Sequence, residues 1–357
     1  MENQNVRALF GGNLPETVDF DFAVVTGAKG FIGSRLVRTL RDVYDVRVLA
    51  VDTKFKDYRI VKDESEIEMA GDVSTKYGIE AVLNEVKFQN DDARPVDRAV
   101  IFHLAAHTSN DPVLPAESMR LNAWAPAALY RAFCDFSSTR FVFASSFGVY
   151  GKCLIGSAVN EDQRWALTPI TDYGRSKLMA EHALEAETLC GNRPPVTALR
   201  FSNVVGIGRQ FPGGRTEDPG AGIFKALIDV LSGKSPKLTL PPPVFGTSKG
   251  YPYRDFVHVS DVVAALVRAS SCTGRFRAIN VCMGMSRSIS DVAELAGVEF
   301  TSDGSYDGRF NAAYSRGSTA LMYNALGACH MISLNSAVSE IVEEVNARRL
   351  AGTSAVQ

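Results

Sequence analysis

The sequence predicts an α/β fold, a doubly wound parallel sheet with a smaller C-terminal substrate-binding lobe, and three observations carry that prediction. Short runs rich in Val, Ile and Phe alternate with segments of helical period from Phe22 onward, the pattern of βα units that feed a parallel sheet. A glycine-rich turn joins the first apolar run to the first helical segment. The chain has 357 residues, 46% of them hydrophobic, enough for one large core with a second lobe attached.

Residues 1–20, which include Gly11-Gly12 and Pro15, read as a tail before the fold. Strands are expected at 22–26, 46–51, 66–70, 99–104, 140–145, 196–201 and 278–282, each a short run bounded by turn residues. Helices are expected at 31–43, 74–88, 115–136, 172–190, 220–232, 259–270, 288–296 and 334–348, where apolar residues recur at intervals of three and four. Between Gly206 and Pro252 the pattern changes to many Gly and Pro residues, Pro241-Pro242-Pro243 among them, with one clear helix. The division that follows is a first domain over 21–205, to which 254–284 returns, and a lobe built from 206–253 and 285–350. The closing GTSAVQ has no burial pattern and reads as a frayed end.

A formal net charge of −2 leaves no electrostatic footprint for nucleic acid or an anionic membrane, so neither is expected as a partner. No stretch approaches the ~18 consecutive apolar residues of a membrane span. The N-terminus lacks a basic start followed by an apolar run, so no signal peptide is expected. Six scattered cysteines, without a CxxC pair, read as reduced thiols of a cytoplasmic protein.

The glycine turn runs Val24-Val25-Thr26-Gly27-Ala28-Lys29-Gly30-Phe31-Ile32-Gly33. Gly27 permits the tight turn, Gly30 lets backbone approach a pyrophosphate, and Gly33 lets the helix pack closely on the strand. The N–H groups around Phe31 and Ile32 then face the anion. This is the fingerprint of a Rossmann dinucleotide site. Asp52 ends the next strand, where its carboxylate accepts from a ribose diol and repels a 2′-phosphate, so NAD is the expected cofactor. Asp72 and Val73 follow the third strand and are placed for the adenine. Leu104, Ala105 and Ala106 close the fourth with side chains small enough for backbone to lie along a dinucleotide. His103 and His107 lack ligand spacing, so no metal site is expected.

The fifth strand runs into Ser145-Ser146-Phe147-Gly148-Val149-Tyr150-Gly151, which puts hydroxyls at a carboxyl strand end beside the cofactor. Further on, Tyr173 and Lys177 stand four apart and share a helical face. A free Tyr, with a pKa near ~10, is a poor base at neutral pH; an adjacent ammonium favours the phenolate. Ser146, Tyr173 and Lys177 are therefore the expected catalytic set, with Ser145, Tyr173 and Lys177 also touching the cofactor.

TGAKGFIG, the HLAA strand end, SSFGVYG, YGRSK, LRFSNVVG and YRDFVHVSD occur in the order found in extended short-chain dehydrogenase/reductases, and most of residues 22–330 resembles the NAD-dependent epimerase/dehydratase group. The resemblance implies a nucleotide-diphosphate sugar as substrate and Ser146 as the catalytic hydroxyl. It implies sugar-diphosphate contacts from Asn203, Arg254 and Arg309, adds Thr108 and Phe245 on the substrate side and Asn122 on the cofactor side, and carries the expectation of a homodimer through 115–136 and 172–190. Dehydratases and decarboxylating relatives carry acidic residues after the strand-end hydroxyl or before VYG; Phe147 and Gly148 hold those places here. What remains is transient oxidation and re-reduction, expected as 4-epimerisation of an NDP-hexose of the UDP-glucose/galactose type. A net dehydrogenase or reductase of a sugar or sugar-acid alcohol, and a non-catalytic NAD-binding regulator, are the alternatives.

Overall fold

The computed structural model describes residues 10, 13–63, 65–90, 98–108, 115–136, 139–191, 193–207, 222–302, 304, 312–327 and 331–354. Phe22–Thr26 (β1), Arg47–Asp52 (β2), Ile60–Asp63 (β3), Glu66–Ala70 (β4), Ala99–His103 (β5), Thr139–Ser146 (β6), Val196–Phe201 (β7) and, later in the chain, Phe276–Val281 form an eight-stranded sheet. The seven expected strands all occur, and every pairing among them is parallel. β3 was not anticipated; it pairs antiparallel with β4 at the sheet edge.

β1 lies at the centre, flanked by β2 and β5. The chain winds outward through β2 and β4, then returns to lay β5, β6 and β7 on the other side. Where the winding reverses, the loops after β1 and β5 part and leave a crevice, which is where such sheets bind ligands.

Strand residues alternate between two cores, as the pleat requires. Ala23, Val25, Val142 and Leu199 face one core, covered by Gly33–Tyr44 (α1) and two later helices, Val259–Ala269 and Ala320–Leu326. Phe22, Val24, Phe141 and Phe143 face the other, covered by Lys76–Asn90 (α2), Ala125–Ala132 and Asp172–Thr188. The helix expected over 115–136 is divided into Ala116–Met119 (α3), a π-helical turn at Arg120–Trp124, and Ala125–Ala132 (α4). Pro126 at the start of α4 has no N–H to give the preceding turn, so the ladder shifts register there. Asp172–Thr188 (α5) is continuous.

After β7 come Asn203–Val205 (β8), Ile223–Leu231 (α6), Leu238–Leu240 (β9), Tyr253–His258 (β10), Val259–Ala269 (α7), Phe276–Val281 (β11), Ser286–Ser288 (β12), Ser290–Ala296 (α8), Phe300–Ser302 (β13), Ala320–Leu326 (α9) and Leu334–Ser354 (α10). β12, β10 and β8 make a small sheet, β13 and β9 another. Val205, Phe224, Leu227, Phe256, Val292 and Ile341 gather a separate core from these elements; Phe224, Leu227, Val292 and Ile341 come from the stretches expected as the lobe, Val205 and Phe256 from those expected in the first domain.

Two further boundaries read from the sequence change. The stretch expected as a tail is packed over its described residues. Phe10, Leu14 and Phe20 are buried in the core with α1, the Asn13 side chain donates to Asp261 Oδ1 at 2.8 Å, and Arg140 grips the Asp19 carboxylate through both terminal nitrogens. Isolated apolar residues in a short segment carry no period, so this packing has no signature in the sequence. Within 285–350, α9 joins the large core through Met322 and Leu326 rather than the lobe. Among the described residues no helix is long and apolar enough to cross a membrane.

Candidate active site

At the carboxyl end of β1, Gly27 adopts φ 71°, and a Cβ there would lie 2.7 Å from the Ala105 amide nitrogen. A Cβ on Gly33 would meet the Gly27 carbonyl oxygen at 2.1 Å. Backbone is therefore packed on backbone where the glycine turn meets α1, as the spacing predicted. The amides of Phe31 and Ile32, ahead of the first turn of α1, find no protein acceptor among the described residues. Two unspent donors at a helix N-terminus suit a pyrophosphate.

The crevice beside this turn is lined by Gly27, Gly30, Asp52, Val73, Leu104 and Ala105, with Asp72 and Ala106 at its edges. Asp52 is buried and fixed, Oδ2 accepting from Lys29 N and Oδ1 from Lys54 N, both at 2.9 Å. A carboxylate oxygen has a second lone pair, so each can still accept from a ribose hydroxyl. Asp72 accepts from Ser74 N at 2.9 Å and shapes the turn after β4. Turn, free amides and oriented acid together fit NAD.

His103 is fully buried, with Nδ1 2.8 Å from Thr26 Oγ1 and its ring stacked on Phe143. Burial holds it neutral, its pKa pushed down to about 3 with the Lys177 ammonium adding to the effect. It is a packing histidine. Asn122, expected at the cofactor, is instead wholly buried: its Nδ2 donates to the His107 carbonyl and its Oδ1 accepts from the His107 amide, both at 2.9 Å. Both polar ends are spent bracing the loop after β5, and the neighbouring Leu121 faces the crevice. Thr108, next to His107, is exposed.

Ser146 ends β6, and its Oγ accepts from Gly148 N at 3.0 Å, capping a 3-10 turn over Phe147–Val149. That turn sits directly on the start of α5, where a Cβ on Gly174 would be 2.0 Å from the Gly148 carbonyl oxygen. Thr171 caps α5, accepting from Gly174 N, and Tyr173 occupies its first turn. Lys177 is 1% exposed; its Nζ donates to Ala144 O at 2.9 Å and lies 4.7 Å from the centre of the Phe143 ring and 6.0 Å from that of Tyr173. Ser146, Tyr173 and Lys177 are thus brought together from two elements.

Burial raises the Tyr173 phenol to about 12, against which the Ser146 hydroxyl pulls downward as a hydrogen-bond partner. Burial also lowers Lys177 to about 7, with the Glu181 carboxylate opposing it. The expected depression of Tyr173 by Lys177 is not realised in the protein alone. Desolvation penalises both charged forms and is the largest cause of each shift.

Ser145 departs from expectation. Its hydroxyl donates its proton to Glu181 Oε1 on the α5 side of the sheet, so that proton is not free for a cofactor. Glu181 in turn accepts from Arg200 Nη2 at 2.7 Å and Nε at 3.0 Å, Arg200 Nη1 donates to Tyr150 Oη at 2.8 Å, and Tyr150 donates to Asn280 Oδ1 at 2.8 Å. The sequence reading missed this buried network, although Glu181 continues the helical face of Tyr173 and Lys177. A cavity of about 600 Å³ opens on its far side, away from the crevice.

On the substrate side, Asn203 is exposed on β8 opposite Phe256, and Arg254 on β10 is half-buried with Nη1 donating to Tyr253 O at 2.8 Å. Phe245 is fully exposed in the loop before β10, and its neighbour Gly246 lies beside Ile155. Arg309 lies outside the described residues.

The profile of the "NAD dependent epimerase/dehydratase family" matches residues 23–282. UDP-glucose 4-epimerase of Azospirillum brasilense is 27% identical over 247 residues, 69% of this chain and 67% of the relative. ADP-L-glycero-D-manno-heptose-6-epimerase of Thiobacillus denitrificans is 27% identical over 279 residues, 76% of each chain. Among solved structures, MoeE5 in complex with UDP-glucuronic acid and NAD aligns with a TM-score of 0.71 at 28% identity, covering 92% of this chain and 99% of that one.

Proposed function

The chain belongs to the NAD-dependent epimerase/dehydratase family, and on that premise we propose that it is a 4-epimerase of a nucleotide-diphosphate hexose. The observation that carries this reading is the meeting of Ser146, Tyr173 and Lys177 at one strand end with Phe147 and Gly148, not carboxylates, beside them. Water elimination needs an acid and a base in addition to the oxidising set. Neither is supplied by the turn after Ser146, so oxidation followed by re-reduction is the chemistry the site supports.

Tyr173 as phenolate takes the proton of the sugar hydroxyl, and the Ser146 hydroxyl hydrogen-bonds the same oxygen. NAD, when held in the crevice by the glycine turn and Asp52, would supply the hydride-transfer chemistry at the sugar carbon. Lys177, when protonated, stabilises the phenolate and so sets the pH at which the base forms. Arg254 and Asn203 hold the diphosphate while the keto sugar turns, guanidinium geometry being suited to diphosphate oxygens. The relatives support the substrate class through UDP-glucose, an ADP-heptose and UDP-glucuronic acid, all nucleotide-diphosphate sugars. We place the enzyme in the cytoplasm, as a homodimer.

The test is incubation of the purified protein with a panel of nucleotide sugars, without added cofactor, followed by chromatographic separation of epimers. Conversion of one hexose to its 4-epimer is expected. Accumulation of NADH from one sugar on adding NAD, with no epimer formed, would replace this reading with a net dehydrogenase.

A further inference from the structure

The three reacting groups stand on two elements, and what fixes those elements to each other is not the reacting groups themselves. Ser146 ends β6, while Tyr173 and Lys177 belong to α5. The residue beside Ser146 in the chain, Ser145, donates to Glu181, one turn beyond Lys177. Glu181 also holds Arg200 of β7, the strand paired with β6 in the register Ser145↔Arg200 and Ser146↔Phe201. Arg200 passes the connection to Tyr150, four residues after Ser146, and Tyr150 to Asn280 of β11, whose side-chain amide reaches Val159 O at 3.2 Å. Glu181, Arg200, Tyr150 and Asn280 are all at most 4% exposed. The backbone on both sides of Ser146 is thus tied, through one carboxylate, to the helix that carries the base.

We propose that Glu181 is a positioning residue for the reaction: its carboxylate sets the spacing of Ser146 from Tyr173 and Lys177 and keeps a negative charge one turn from the Lys177 ammonium. The inference rests on the reading of Ser146, Tyr173 and Lys177 as the reacting groups. A buried ion pair is weak evidence for stability, since an uncharged pair of similar volume often serves as well. Here the pair carries a third bond, from Ser145, that a merely structural pair would not need. Among the described residues, the titratable groups facing Lys177 are Tyr173 and Glu181 on α5 and His103 on β5; β6 offers it the Ala144 carbonyl and the Phe143 ring. Of these, Glu181 alone is anionic when Tyr173 is protonated. Its loss moves the deprotonation of Lys177 to lower pH.

The experiment compares Glu181→Gln, the neutral double variant Glu181→Gln/Arg200→Met, and Tyr173→Phe, measuring Tm, NAD affinity, kcat, KM and the pH dependence of kcat. Glu181→Gln leaves Arg200 buried without its counter-charge and loses Tm; the double variant removes that charge and recovers it. The expected result is a double variant with near-native Tm and NAD affinity and KM within about twofold, but with kcat lowered about tenfold or more and the alkaline limb of its pH profile moved to lower pH. A double variant with native Tm, native kcat and an unmoved profile would show that Glu181 is only a staple. If Tyr173→Phe turns over like the native enzyme, the assignment of the reacting groups fails, and the inference with it.

Discussion

Lys177 shows how a single residue's burial is turned to use. Its folded pKa of about 7 lies below the ordinary 10.5, so between those values the unfolded chain holds a proton that the folded one has released. Stability therefore rises with pH through that window and is lost as pH falls toward 7. Lys177→Met removes both the buried charge and the slope. The variant is expected to match or exceed the native Tm at pH 7 while kcat falls about a hundredfold or more, as measured by thermal unfolding at several pH values and by turnover. Tyr173→Phe is expected to lose a comparable factor in kcat and to bind NAD normally, a result checked by titration of the cofactor. Asp52, Gly27, Ser146, Tyr173 and Lys177 were legible as residues because each stands at a fixed offset from a strand end or helix start, so that chemistry and spacing could be read together. Asn122 and Ser145 were misread for the opposite reason. Their polar atoms are consumed by the His107 backbone and by Glu181, partners 15 and 36 residues away that no local spacing reveals.

At the scale of elements, the backbone contact between α1 and β1 leaves no room for a methyl group. Gly33→Ala forces α1 away from the Gly27 carbonyl, an overpacking expected to cost about 1–3 kcal/mol. Because the same displacement moves the Phe31 and Ile32 amides, NAD affinity is expected to fall together with Tm; cofactor titration and thermal unfolding of one sample check both. All seven core strands were legible, since their apolar runs face a core on each side. β10 was not, because it follows the Gly- and Pro-containing stretch that ends at Pro252 and runs directly into α7 at Val259, so no turn marks its end; Phe256 faces the lobe and Val257 the main sheet. The break at the π-helical turn was missed as well. The apolar period runs on through it, and only the missing N–H of Pro126 marks it.

For the whole molecule, Trp124 at the π-helical turn is 62% exposed and Met179 on α5 is 41% exposed, on neighbouring elements that would meet a second copy in the proposed dimer. Trp124→Asp is expected to yield a monomer by light scattering, with NAD binding retained because the crevice lies at the strand ends.

The sequence by itself determined the doubly wound sheet, the crevice at its reversal point, the NAD fingerprint and the Ser146, Tyr173 and Lys177 set that we propose to be the reacting groups. Those features are written in local period and in fixed offsets from glycines and strand ends, which short-range sterics and hydrogen bonding enforce. Tertiary structure alone decided that the first described residues pack into the core, that α9 belongs to the main sheet, that burial raises Tyr173 while lowering Lys177, and that Glu181 ties β6 and β7 to α5. Each of these depends on desolvation or on partners far apart in the chain, and neither exists until the chain has folded.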